Sequence, residues 1–265
     1  NAYEKSFAYQ LAAIAASESD DNVKAAQYFQ AAVDANGLDN NSHYRIMYNL
    51  AAVQSQLEQW DPAVKTLDRF LAETRSEDPK YLTMKAGLLS GAGRNDEASK
   101  LFAELLAKNP GDKKLLMNTV ATLQQQDKFA EANRLLLDAQ KKGLLTEERE
   151  YRALYSGLLN EDGRWKEAAT VVEEGAAKGV LQQNQDLGKA YSFVANQAFF
   201  ANDLAAAVKY YTLAAPLSPD GEAWLNLAKV YNNQGNKAEQ RKAAQQALAK
   251  GVKDTAEAQR LANPK

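Results

Sequence analysis

Cysteine is absent from the 265 residues, which excludes disulfide frameworks, thiolate metal sites and thiol catalysis. Histidine occurs once, at His43, so a multi-histidine metal site is excluded as well. Neither charge sign is in excess: 32 Lys and Arg stand against 34 Asp and Glu, a net charge of −2. That balance argues against binding to nucleic acid or a membrane surface through bulk charge. No apolar run approaches the length of a membrane span, so direct membrane insertion is not expected. Isoleucine is confined to Ile14 and Ile46, whereas Ala occurs 48 times and Leu 32 times. Such a composition is helical, because Ala and Leu lose little on entering a helix and β-branched residues lose side-chain freedom.

The helices repeat. The phrases Lys142-Gly143-Leu144, Lys178-Gly179-Val180 and Lys250-Gly251-Val252 set a unit of about 36 residues, with glycine where a helix end takes a left-handed residue. On that period Ala25, Ala63, Ala98, Ala132, Ala168, Ala207 and Gln240 form one column. Four residues on, larger residues follow: Phe29, Leu67, Phe102, Leu136, Val172, Tyr211 and Ala244. Twelve residues before the first column stand Ala13, Ala51, Ala86, Val120, Ser156, Ala195 and Ala228. Small residues at two fixed places predict two antiparallel helices per unit whose backbones approach closely. Proline agrees, since Pro62, Pro79, Pro110, Pro216 and Pro219 fall at helix starts or between units and Pro264 in the tail. The domain reading is seven hairpins over residues 1–252, then a capping helix (Thr255 to Ala262) and tail over 253–265.

The stretch Trp224-x-x-Leu227-Ala228-x-x-Tyr231, then Gly235, resembles the first helix and turn of a tetratricopeptide repeat (TPR); Ala207, Tyr211, Ala214 and Pro219 resemble the second helix of the preceding unit. The resemblance implies an all-α, right-handed superhelical solenoid with a concave groove. Further phrases, among them Tyr48-Asn49-Leu50-Ala51, Trp60-Asp61-Pro62-Ala63 and Leu217-Ser218-Pro219-Asp220-Gly221-Glu222, are similar to periplasmic TPR proteins associated with TonB, ExbB and ExbD. That likeness implies a periplasmic role beside outer-membrane transporters. Asn1 is not an initiator Met, and the expectation is a leader or anchor removed before residue 1.

The family's groove register, the second, fifth, ninth and twelfth positions of each first helix, puts Arg45, Lys80, Lys114 and Lys189 on one basic edge that Glu150 and Glu222 interrupt. Such an edge suits an acidic peptide or a terminal carboxylate, or is plain solvated surface. Asn160, Asn196 and Asn232 recur at steps of 36 and offer donors and acceptors to an extended backbone; Asn160 and Asn232 equally suit helix termination. Tyr48, Met117 and the Phe199-Phe200 pair are candidate anchors, with one phenylalanine packed and the other, Phe199 by register, facing the groove. Trp60 and Trp165 read as packing between helices, and His43 as a cap or surface residue. No phosphate-binding glycine loop, nucleophile elbow or zincin motif occurs, so neither catalysis nor a cofactor is expected.

The expected function is therefore a protein-binding scaffold, with TonB-system components as partners. The alternatives are a recruiting or regulatory domain of a larger enzyme or secretion channel, and a self-assembling scaffold. The last draws on polarity: residues 1–40 carry a net charge of −4 and residues 237–265 a net charge of +4.

Overall fold

The computed structural model describes residues 1–263; Pro264 and the end of the tail lie outside them. Among the described residues the regular elements are fifteen α-helices and no strand, as the composition and the repeat columns predict. The chain divides into two compact units, Asn1–Asp127 and Lys128–Lys265. The first holds α1 (Ala2–Glu18), α2 (Asn22–Ala35), α3 (Asn40–Gln56), α4 (Trp60–Thr74), α5 (Pro79–Gly91), α6 (Asn95–Lys108) and α7 (Lys113–Gln125). The second holds α8 (Phe129–Lys141), α9 (Glu148–Leu159), α10 (Trp165–Ala177), α11 (Gln185–Phe200), α12 (Leu204–Ala214), α13 (Glu222–Asn233), α14 (Lys237–Ala249) and α15 (Thr255–Ala262). Within each unit every helix packs on the next in sequence, and the helix pairs α5/α7, α9/α11 and α13/α15 also touch. Each unit is thus a stack of helix hairpins.

Short polar side chains start these helices. Asp21, Asp39, Asp112, Asp203, Asn236 and Asp254 each accept from a backbone N–H in the first turn that follows. The turns before α2, α4, α6, α8, α10, α12 and α14 share a stereochemical device. Five residues before each member of the small-residue column, the backbone turns left-handed: Asp20, Glu58, Gly93, Asp127, Gly163, Asn202 and Gly235 all have φ between 55° and 77°. Gly143, Gly179 and Gly251 close helices at φ of 69°, 68° and 81°, the conformation their repeated phrases call for.

All members of the columns except Ser156, which is half-buried, lie in the core. Ala25, Ala63, Ala98, Ala132, Ala168 and Ala207 are completely buried, as are Ala13, Ala51, Ala86, Ala195 and Ala228. With only a methyl group at these points, neighbouring helices close to short separations, and Phe29, Leu67, Phe102, Leu136, Val172 and Tyr211 fill the space one turn on. Trp165 is buried, and Trp60 lies so near α5 that a Cβ on Gly91 would fall 2.5 Å from its indole.

Candidate functional site

In the second unit, α11 and α13 wall an open cavity of about 270 Å³. The helix α11 starts at Asn184, whose Oδ1 accepts from the amides of Asp186 and Leu187 at 2.9 and 3.2 Å. It buries Leu187, Tyr191, Val194, Ala195 and Ala198, so the helical period turns Lys189, Phe193 and Asn196 outward on one face. The facing wall is Glu222 and Asn226 of α13, and Tyr211 of α12 forms the floor. Phe193 is 61% exposed and Phe200, farther along α11, is 78% exposed. Of the two, Phe193 lines the hollow, and an aromatic ring left in water there is a ready anchor for a partner.

The polar groups have a definite order. The Tyr211 hydroxyl donates to Asn196 Oδ1 at 2.8 Å. Burial pushes Tyr211 up to about 12, which keeps the hydroxyl protonated as a donor. Lys189 Nζ lies 3.4 Å from Asp186, a carboxyl held below its usual range first by Arg152 and then by Lys189. Glu222 accepts from the Lys253 amide at 2.9 Å, and Asp220 accepts from the Glu222 amide at 3.1 Å. One wall therefore carries a cation and the other carries anions, and each carries an amide, Asn196 on α11 and Asn226 on α13.

Of the groove residues read from the sequence, the cavity brings together Lys189 and Asn196. Phe199 is half-buried and meets Phe200 edge-on at 6.0 Å; the ring left in solvent is Phe200. Asn160 caps the end of α9, its Nδ2 donating to the Ser156 carbonyl at 2.8 Å, and Asn232 is exposed near the end of α13. In the first unit Lys80 and Tyr48 meet: the Lys80 ammonium sits 4.7 Å from the Tyr48 ring centre and 5.4 Å from that of Tyr81. Arg45 and Lys114 are exposed on α3 and α7, and Met117 is half-buried on α7. Glu150, which interrupts the basic edge, is fully buried and accepts from the amides of Thr146 and Glu147 at 2.6 and 2.9 Å. Its place in the register is structural.

Phe193 escapes the groove register because it follows the fifth position rather than occupying it. A signal was present, since Tyr191, Val194 and Ala195 already supply the apolar face of α11. His43 corrects the sequence reading. It is neither a cap nor a surface residue: Asp39 caps α3, and His43 is only 4% exposed. One helical turn past the cap, it falls on the same face as Ile46, Met47 and Leu50. Among the described residues no three His, Cys, Asp or Glu gather as a metal site, and no helix is long and apolar enough to cross a membrane.

Residues 195–255 match the tetratricopeptide repeat family. No curated protein matches the chain. Among solved structures, a tetratricopeptide repeat protein from Parabacteroides merdae ATCC 43184 is 16% identical, with 98% of this chain and 97% of that one covered and a TM-score of 0.58. The C-terminal part of a TPR repeat-containing protein from Cytophaga hutchinsonii is 12% identical over 92% of this chain and 96% of its own, with a TM-score of 0.69. YrrB, described as a TPR protein with an unusual peptide-binding site, is 14% identical over 73% of this chain and 95% of its own, with a TM-score of 0.52. At these identities the likeness is one of fold, the fold of TPR proteins.

Proposed function

We propose that this chain is a non-enzymatic scaffold that holds an extended segment of a protein partner across the cavity between α11 and α13. The observation that carries the reading is the pair of amides, Asn196 and Asn226, on facing walls beside the exposed ring of Phe193. Asn226 offers a donor and an acceptor to a peptide unit, Asn196 offers its Nδ2 to a peptide C=O, and the ring takes an apolar side chain. Lys189 on one wall and Asp220 and Glu222 on the other orient the segment, its acidic group toward α11.

In the same reading the scaffold works in the periplasm within a TonB-dependent outer-membrane transport system. The phrases shared with TPR proteins of such systems support this. The experiment is capture of partners from periplasmic extract by the wild-type chain and by Lys189→Glu, Phe193→Asp, Lys114→Glu and Phe199→Ala. A TonB-system component captured by wild type and lost with the first two variants is the expected result. Partners retained by both Lys189→Glu and Phe193→Asp overturn the cavity assignment; a cavity-dependent partner from outside TonB systems overturns the transport role alone.

A further inference from the structure

The helix α1 carries its apolar weight on the outside. Its buried positions are Ser6, Gln10 and Ala13, small or polar, whereas Tyr3, Phe7, Leu11 and Ile14 are between 38% and 55% exposed. Their spacing of four, four and three residues aligns them in one stripe, about 16 Å long at 1.5 Å per residue. The rings of Tyr3 and Phe7 stack at 6.0 Å with an interplanar angle of 8°, so this end of the stripe is already ordered. At the other end Ile14 opens into a cavity of about 540 Å³ between α1 and α3, with Phe29 and Val53 in its lining. The charged groups lining that cavity are Glu18 and Asp20, both exposed carboxylates, with no lysine or arginine among them. Lys24, the nearest cation in sequence, is committed to Asp21 at 2.8 Å.

We propose that this face of α1, with the cavity at its end, is a docking site for a cationic amphipathic helix of a partner protein. An α-helix repeats its side chains every three and four residues, which matches the stripe, whereas an extended strand does not. The lysines or arginines of the partner meet Glu18 and Asp20, where an acidic helix would be repelled. A second copy presenting the same face is a poor occupant, because residues 1–40 of both copies carry a net charge of −4. The site lies in the first unit and does not depend on the cavity between α11 and α13.

The test is fluorescence anisotropy on the full chain, with a labelled amphipathic helix of leucine and lysine, about 18 residues long, and the same peptide with glutamate for lysine. The expected result is micromolar binding of the lysine peptide and at least about tenfold weaker binding of the glutamate peptide. Leu11→Asp, at an exposed position where the fold is untouched, weakens the lysine peptide by at least about tenfold. The double variant Glu18→Lys, Asp20→Lys erases the preference between peptides. Equal binding of the two peptides, or binding that Leu11→Asp does not weaken, overturns the proposal. So does sedimentation showing a dimer of this chain that Leu11→Asp dissolves.

Discussion

The hydroxyl of Tyr211 donates to Oδ1 of Asn196 at 2.8 Å and ties the floor of the α11–α13 cavity to one of its walls. The bond fixes the amide: with Oδ1 engaged by the hydroxyl, Nδ2 is the end offered to a ligand. A buried tyrosine from the column of larger residues thereby sets the donor that a bound peptide carbonyl would meet.

Replacing Tyr211 by Phe keeps the ring and deletes this bond. The expected cost is about 0.5–1.5 kcal/mol in urea unfolding, with weaker capture of any partner that needs Asn196. Alkaline stability provides a second reading. Tyr211 is raised from 10.0 to about 12 in the folded chain, so between those values only the unfolded chain releases the proton. The contribution of Tyr211 to stability is therefore intact below pH 10 and falls as pH rises toward 12. Burial also raises Tyr151, Tyr155, Tyr191 and Tyr210, so Tyr211→Phe removes part of the decline. A variant curve that superimposes on wild type from neutral pH to pH 12 removes Tyr211 from this role.

Two helical glycines should respond in opposite directions to alanine. Helix propensity alone favours alanine at either place by about 1 kcal/mol. At Gly87 in α5 an added Cβ meets nothing within 4 Å, so Gly87→Ala is expected to stabilise by about 0.5–1 kcal/mol. At Gly157 in α9 the Cβ would fall 2.2 Å from Oδ1 of Asn133, a fully buried side chain whose Nδ2 donates to Glu161 at 2.5 Å. Gly157→Ala is expected to destabilise by about 1–3 kcal/mol. Urea midpoints shifted in the same direction would contradict this account.

Positions whose side chain is limited by size were legible in the sequence. A backbone that must approach within a methyl group leaves an alanine in every unit, and those columns are the buried core. No single residue type marks the left-handed column, because Asp, Glu, Asn and Gly all serve at its seven places. The cavity was half legible. A register taken along one helix finds Lys189 and Asn196, but Tyr211 and Asn226 reach the site from other helices through stacking. His43 was misread because its polar neighbours in sequence are not its neighbours in space.

Gln240, the one departure from alanine in its column, shows what a repeat pattern conceals. Its side chain is buried, and Nε2 donates to the carbonyl of Leu261 at 2.9 Å, binding α14 to α15. A substitution guided by the column, Gln240→Ala, would restore the common residue. It is expected instead to cost about 1–2 kcal/mol by leaving the Leu261 carbonyl without its donor. The loss should concentrate in α15, seen as faster amide hydrogen exchange over Thr255–Ala262. Unchanged protection of those amides would show that the bond does not hold the helix.

The buried imidazole of His43 is expected to make the first unit sensitive to mild acid. Neither ring nitrogen has a hydrogen-bond partner, and the ring meets Tyr44 edge-on at 6.0 Å. Burial pushes the imidazole below its ordinary 6.5; Glu73 on α4 opposes the shift and Arg69 adds to it. With the folded value depressed, the neutral ring contributes stability above pH 6.5, and that contribution is lost as pH falls. Below 6.5 the unfolded chain takes up a proton that the folded ring resists. Between pH 6.5 and about 5, before most carboxylates titrate, the urea midpoint of wild type should therefore decline. His43→Leu keeps an apolar group of similar size in the core and removes the titration, so its midpoint should stay nearly level over the same window. The comparison is between slopes, so a constant offset from repacking does not affect it. Parallel slopes for wild type and His43→Leu would mean that the acid response arises elsewhere in the chain.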